Sequence, residues 1–145
     1  MPACACHDVA VIDHVGVNCS DFDKSKAFYD RVLGLLGYSR QMDVGRAIGY
    51  GRDGKPEFWI GDNDLGPNRE IHVAFQAADV DAVNAFHDAA VELGAESLHA
   101  PRQWPEYHPG YYGAFVRDPD GNNVEAVFHG AAGPATSNTG ASPDM

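Results

Sequence analysis

Hydrophobic positions along the chain follow two rhythms, a period of two and a period of three to four, and the same succession occurs twice. The stretch Ile12-Asp13-His14-Val15-Gly16-Val17 alternates as a strand does, and so does Glu70-Ile71-His72-Val73-Ala74-Phe75. A helical pattern follows each. Phe22, Tyr29, Val32 and Leu36 share one face, widened by Phe28 and Leu35; Val83, Phe86, Ala90 and Leu93 do the same in the second half. Ser20 with Asp23 resembles a capping box for the first helix, and Asp79 can cap the second. Both helices run into a Leu-Gly pair, Leu36-Gly37 and Leu93-Gly94, where glycine suits the left-handed stop.

The offset between matched positions is nearly constant, 58 residues from His14 to His72 and 57 from Gly37 to Gly94. An offset that steady marks an internal duplication, and two copies point to paired modules rather than a solenoid. Strand patterns fill the rest of each copy. Arg52-Asp53-Gly54-Lys55-Pro56 joins Ala47–Gly51 to Glu57–Ile60, and Asp118-Pro119-Asp120-Gly121-Asn122 joins Tyr112–Arg117 to Asn123–Phe128. The predicted fold class is α+β, two tandem modules that each combine a first strand, a helix and further strands. Its predicted organisation is an N-terminal tail over 1–8, module one over 9–61, a linker over 62–69, module two over 70–129 and a C-terminal tail over 130–145. Both tails are expected to be mobile on composition.

Strand parity then sorts the polar groups. His14 alternates with Val15 and Val17, His72 with Ile71 and Val73, and Glu125 with Val124 and Ala126. With helices on the oily faces, all three would look into a common concave side. Two imidazoles and a carboxylate with positions left open suit Fe2+, Mn2+, Zn2+ or Ni2+. The same parity is also compatible with two satisfied histidines on a half-exposed sheet and a surface acid. A second tract, Cys4, Cys6 and His7, has metal-ligand residue types but supplies few ligands. Cys19 reads as a small buried hydrophobe.

Composition narrows the functions. Ten Lys and Arg against 21 Asp and Glu give a net charge of −11, which disfavours a nucleic-acid partner. No apolar run reaches the roughly 18 residues of a membrane helix. The N-terminal residues lack a basic and an apolar signal region, so the expected compartment is the cytoplasm. Three cysteines, an odd number, argue against a disulfide framework.

His on the first strand, His on the matching strand of the repeat, and Glu just beyond Asp118-Pro119-Asp120-Gly121-Asn122 together resemble the vicinal oxygen chelate superfamily. Glyoxalases, bleomycin-resistance proteins, fosfomycin-resistance thiol transferases and extradiol dioxygenases belong to that group. The resemblance runs from Val9 to His129 and implies two tandem βαβββ modules forming a curved mixed-sheet cup around one metal site, with the metal held by His14, His72 and Glu125. It also implies a small-molecule substrate and a homodimer, in which the linker's reach of at most about 30 Å permits sites shared between subunits or private to each. Lactoylglutathione lyases of this group commonly have a fourth ligand on the last strand of the first module. Counting from the turn glycines sets Phe58 opposite Glu125, whereas a one-residue slip would offer Glu57 or Trp59.

Pro101 to Tyr112 is dense in aromatic and ionisable groups, with His108, Tyr111 and Tyr112 as candidate acids or bases and aromatic bracing as the alternative. The expected function is that of a glyoxalase- or dioxygenase-like metalloenzyme acting on a small oxygenated substrate. The alternative is a bleomycin-resistance-type protein that sequesters a drug.

Overall fold

The computed structural model describes residues 12–62 and 66–130. The Cys4, Cys6 and His7 tract, both expected tails except Gly130, and residues 63–65 of the linker lie outside the described residues.

Module one comprises β1 (Val15–Cys19), α1 (Phe22–Leu35), β2 (Ser39–Asp43), β3 (Ala47–Arg52) and β4 (Lys55–Asp62). Module two repeats the order with β5 (His72–Gln76), α2 (Val80–Glu92), β6 (Ser97–Gln103), β7 (Tyr112–Arg117) and β8 (Asn123–Phe128). Each builds a four-stranded mixed sheet, ordered β1-β4-β3-β2 and β5-β8-β7-β6. The first strand of each module runs parallel to the last, and the other neighbours are antiparallel. The fold is therefore α+β, two βαβββ modules in tandem.

The two helix stops are built alike. Gly37 and Gly94 both take φ of +87°, and Tyr38 N–H and Ala95 N–H reach back to the carbonyls of Leu33 and Ala90, each at 2.9 Å. These are paired Schellman motifs, in which a side chain other than glycine would be strained. The starts differ from expectation at one end. Asp79 caps α2 by accepting from Ala82 N–H, but Asp21, not Ser20, caps α1 by accepting from Lys24 N–H. Ser20 is engaged elsewhere, donating its amide and hydroxyl to Asp120 of module two at 2.9 and 2.6 Å. A contact a hundred residues away has outcompeted a local cap.

One apolar core runs through both modules, with Tyr29, Val32, Leu33, Ile48 and Ile60 from the first and Val83, Phe86, Val116 and Val124 from the second. Cys19 lies within it, as its pattern suggested. Leu35 and Leu93, assigned to the helical apolar faces by spacing, are exposed, while Leu33 is buried. Phe58 and Phe75 meet edge to face across the modules at 5.0 Å. Tyr29 OH donates to buried Asp118 at 2.6 Å, and the same carboxylate accepts from the amides of Asp120 and Asn122. Asp118 thus shapes its own turn and ties it to α1.

Several boundaries moved. β1 begins at Val15, so His14 precedes the strand rather than sitting within it. β4 continues to Asp62, one residue past the expected end of module one. Residues 101–103, the start of the aromatic-rich segment, belong to β6.

Candidate metal centre

Module two places its ligand-type residues on neighbouring strands. His72 opens β5 opposite Asn123 of β8, and Ala74 lies opposite Glu125. Val124 and Ala126 point into the core and are fully buried, so Glu125 emerges on the other face of β8. There His72 Nε2 lies 3.1 Å from Glu125 Oε1, and Tyr111 OH donates to Glu125 Oε2. Glu125 is only 2% exposed. A carboxylate that deep is tolerated because both oxygens have partners.

The electrostatics follow from this packing. The hydrogen bond to Glu125 raises the His72 imidazole above its usual range, against the opposing effect of burial. His72 Nδ1 lies 3.2 Å from the Asn123 carbonyl, so the protonated ring donates on both sides. Burial, and then the adjacent Glu125 carboxylate, push the Tyr111 phenol up, so it remains a donor.

Aromatic side chains wall the cluster. Phe115, opposite Glu125 on β7, stacks on His72 at 5.9 Å. Trp104 packs edge to face on Phe115 at 5.2 Å, stacks with Tyr107, and donates Nε1–H to the Gly113 carbonyl at 3.0 Å. The Arg102 guanidinium lies 3.3 Å from the centre of the Trp104 ring. His99 edges onto both Trp104 and Phe115, as part of this wall.

Beside Tyr111, His108 Nε2 and His129 Nδ1 lie 2.9 Å apart with their rings stacked. His108 Nδ1 is 2.8 Å from the Pro109 carbonyl and must donate to it. The neutral pair then has His129 Nδ1–H donating to His108 Nε2. Burial, aided by His108, lowers the His129 imidazole below its usual range. His129 was overlooked in the sequence, although it continues the alternation Asn123, Glu125, Val127.

Tyr112 lies elsewhere. Its hydroxyl donates to Asn84 of α2 at 2.6 Å, on the helix side of the sheet. His14 stands exposed ahead of β1, its Nδ1 2.8 Å from Asp13 Oδ1. Among the described residues, no three His, Cys, Asp or Glu side chains gather into a metal-holding group. The chain therefore brings His72 and Glu125 together without His14. An open cavity of about 330 Å³, lined by Lys24, Phe28, Leu93 and Arg117 among others, belongs to the helix layer and touches none of this cluster.

The strand register settles which residue of module one matches Glu125. Val15 pairs with Phe58 as Val73 pairs with Val124, and Gly49 pairs with Trp59 as Phe115 pairs with Glu125. The match is Trp59, not Phe58. Glu57 corresponds to Asn123 and is exposed.

Comparison with known proteins identifies the family of this fold. Residues 11–126 match the family model described as the glyoxalase/bleomycin resistance protein/dioxygenase superfamily, and the chain belongs to that family. It is similar to a glyoxalase/bleomycin resistance protein from Albidiferax ferrireducens T118, at 28% identity over 81% of this chain and 98% of that one, with a TM-score of 0.68. The fold is shared with a lactoylglutathione lyase from Agrobacterium tumefaciens, at 21% identity over 83% and 94% of the two chains, TM-score 0.59. It is also shared with the fosfomycin resistance protein FosX from Listeria monocytogenes, at 18% identity over 82% and 93%, TM-score 0.60. No curated protein matches the sequence. No helix among the described residues is long and apolar enough to cross a membrane.

Proposed function

We propose that the protein is a divalent-metal-dependent enzyme of glyoxalase or dioxygenase type, in which His72, Glu125 and His14 of a second copy hold one ion. The observation that carries this reading is the buried His72–Glu125 pair. Its 3.1 Å nitrogen–oxygen separation is what two neighbouring ligands of one ion show when each lies about 2.1 Å from it. An ion would take the place of the proton that the two groups now share. The donor set of imidazole and carboxylate fits Fe2+, Mn2+, Zn2+ or Ni2+. His14 fits as the third donor because Asp13 engages Nδ1 and leaves Nε2 for a metal. Since one protomer does not bring the three together, a homodimer with shared sites completes the set.

When bound, the ion supplies Lewis acidity that polarises substrate oxygens. The protein's own groups do the rest. Tyr111 fixes the orientation of Glu125 through Oε2, leaving Oε1 for the ion. Phe115 and Trp104 exclude water from one side. His129, kept neutral, offers its Nε2 lone pair to accept a proton, and His108 steadies the ring through Nδ1.

Metal content after purification without chelators tests the site. His14→Ala, His72→Ala and Glu125→Ala are each expected to lose the ion, while His99→Ala keeps it. Equal metal in all four variants would overturn the reading. Mixing His14→Ala with Glu125→Ala protein separates shared from private sites, because only shared sites regain metal, in about one of the two sites of each mixed dimer. The second reading, drug sequestration, is favoured by the aromatic wall and the net charge of −11. It requires that binding of a cationic glycopeptide survive a chelator.

A further inference from the structure

The concave face of module one carries an indole where module two carries its carboxylate. Phe58 and Ile60 of β4 are buried in the core, so Trp59 between them emerges on the opposite face. Its ring packs against β3 at Gly49, in space that residue 49 leaves open only as glycine. A Cβ there would stand 2.8 and 2.9 Å from the Trp59 ring and 2.5 Å from Pro56 Cβ. Gly16 on β1 adds no bulk on the other side; a Cβ there would sit 3.7 Å from Trp59 Cβ. Gly49 thus clears a berth for one large ring, on the face opposite the core of module one.

The duplication gives this placement a meaning. His14 matches His72, and Trp59 matches Glu125 by the same pairings on both flanking strands. If module one of a second copy met module two across an ion held by His14, His72 and Glu125, the relation that would set His14 against His72 would also set Trp59 against Glu125. We infer that Trp59 is a specificity-determining residue: it stands at the fourth-ligand position as a flat apolar wall, and it selects two-oxygen chelators carried on a planar aromatic ring. The inference rests on the metal site proposed above. Trp59 cannot coordinate, so the ion retains more positions for substrate oxygens. In that arrangement the indole would stand across the ion from Phe115 and Trp104, and a planar ring between such surfaces would gain stacking contact that a compact chelator does not.

The experiment uses metal-loaded full-length protein and two probes with the same donor atoms, 4-nitrocatechol for the planar ring and acetohydroxamate for the compact case. Dissociation constants come from the visible band of the catechol and from competition. Trp59→Leu is expected to weaken 4-nitrocatechol roughly ten-fold and leave acetohydroxamate within about two-fold, and Trp59→Phe to retain most of the planar preference. Trp59→Glu is expected to tighten metal retention against a competing chelator and to weaken both probes, because a carboxylate at that place becomes a ligand. Metal retention in Trp59→Leu and Trp59→Phe also checks that both variants fold. Equal loss of both probes in Trp59→Leu, or unchanged metal retention in Trp59→Glu, overturns the inference while the His72–Glu125 site stands. A wild type that holds no metal overturns both.

Discussion

The two modules are mechanically alike and chemically different. Their helix stops use the same Schellman hydrogen bonds at the same φ, and their strand orders coincide. Their concave faces share almost nothing. Module two presents a buried carboxylate with an imidazole and a phenol on its oxygens, under an aromatic wall. Module one presents an indole on glycine, and its histidine stands outside the strand, held by an adjacent aspartate. Duplication preserved what makes a βαβββ unit fold, which is the apolar face under the helix. The opposite face was free to diverge, because no core packing depends on it. On the proposed reading, one half supplies the polar side of a site and the other its apolar side.

Removing the polar side gives the largest expected effect. His72→Ala or Glu125→Ala should weaken metal binding by more than about 100-fold in a chelator competition, whereas Glu57→Ala, at the exposed acid on β4 of module one, should change nothing. Equal losses at Glu57 and Glu125 would break the asymmetry. Tyr111→Phe comes next. It leaves the ligands in place but frees Glu125 Oε2, so metal affinity should fall by roughly 10- to 100-fold, and Tyr112→Phe should not reproduce it.

The shared core predicts a smaller effect, read in stability. Tyr29→Phe leaves buried Asp118 without its inter-module donor and should cost about 2 kcal/mol in denaturant unfolding, as one cooperative transition. Two separate transitions would show that the modules unfold independently. Gly37→Ala and Gly94→Ala should each cost about 1 kcal/mol, and nearly the same amount, because both meet the same left-handed backbone. A clear difference between them would weaken the mechanical equivalence.

A pH test addresses a feature peculiar to module one. Tyr50 stands where module two has Val116, and its hydroxyl donates to Asp30, which Arg40 also clamps at 2.8 and 2.7 Å. Burial raises the Asp30 carboxyl, but Arg40 and Tyr50 outweigh it and hold it below its ordinary 3.8. A depressed carboxylate contributes stability that is present above its unfolded value and lost as pH falls through the folded one. Asp30→Asn should therefore flatten the decline in melting temperature below about pH 4, by a modest amount because the pair is part-exposed. No change in slope would show that the clamp adds nothing.

Much of the molecule was legible because it is written locally. Alternation and helical spacing gave the duplication, and turn chemistry placed the Asp118–Asn122 hairpin between strands whose bounds matched. Parity set Glu125 on the face away from Val124 and Ala126, since a pleated strand leaves no other choice. Parity also contained His129, four residues further along the same face.

What the tertiary structure alone decided depends on pairing between distant segments. The counterpart of Glu125 came out as Trp59 because the two hairpins spend the same length differently. One closes over Asp53-Gly54 with a register shift at Gly51, the other over five residues, so their glycines fall at unlike places while the strands stay matched. Ser20 left its helix for Asp120 because its partner stands a hundred residues along the chain, in the other module. Local sequence fixes which face a side chain takes. Only the packed chain fixes what stands opposite.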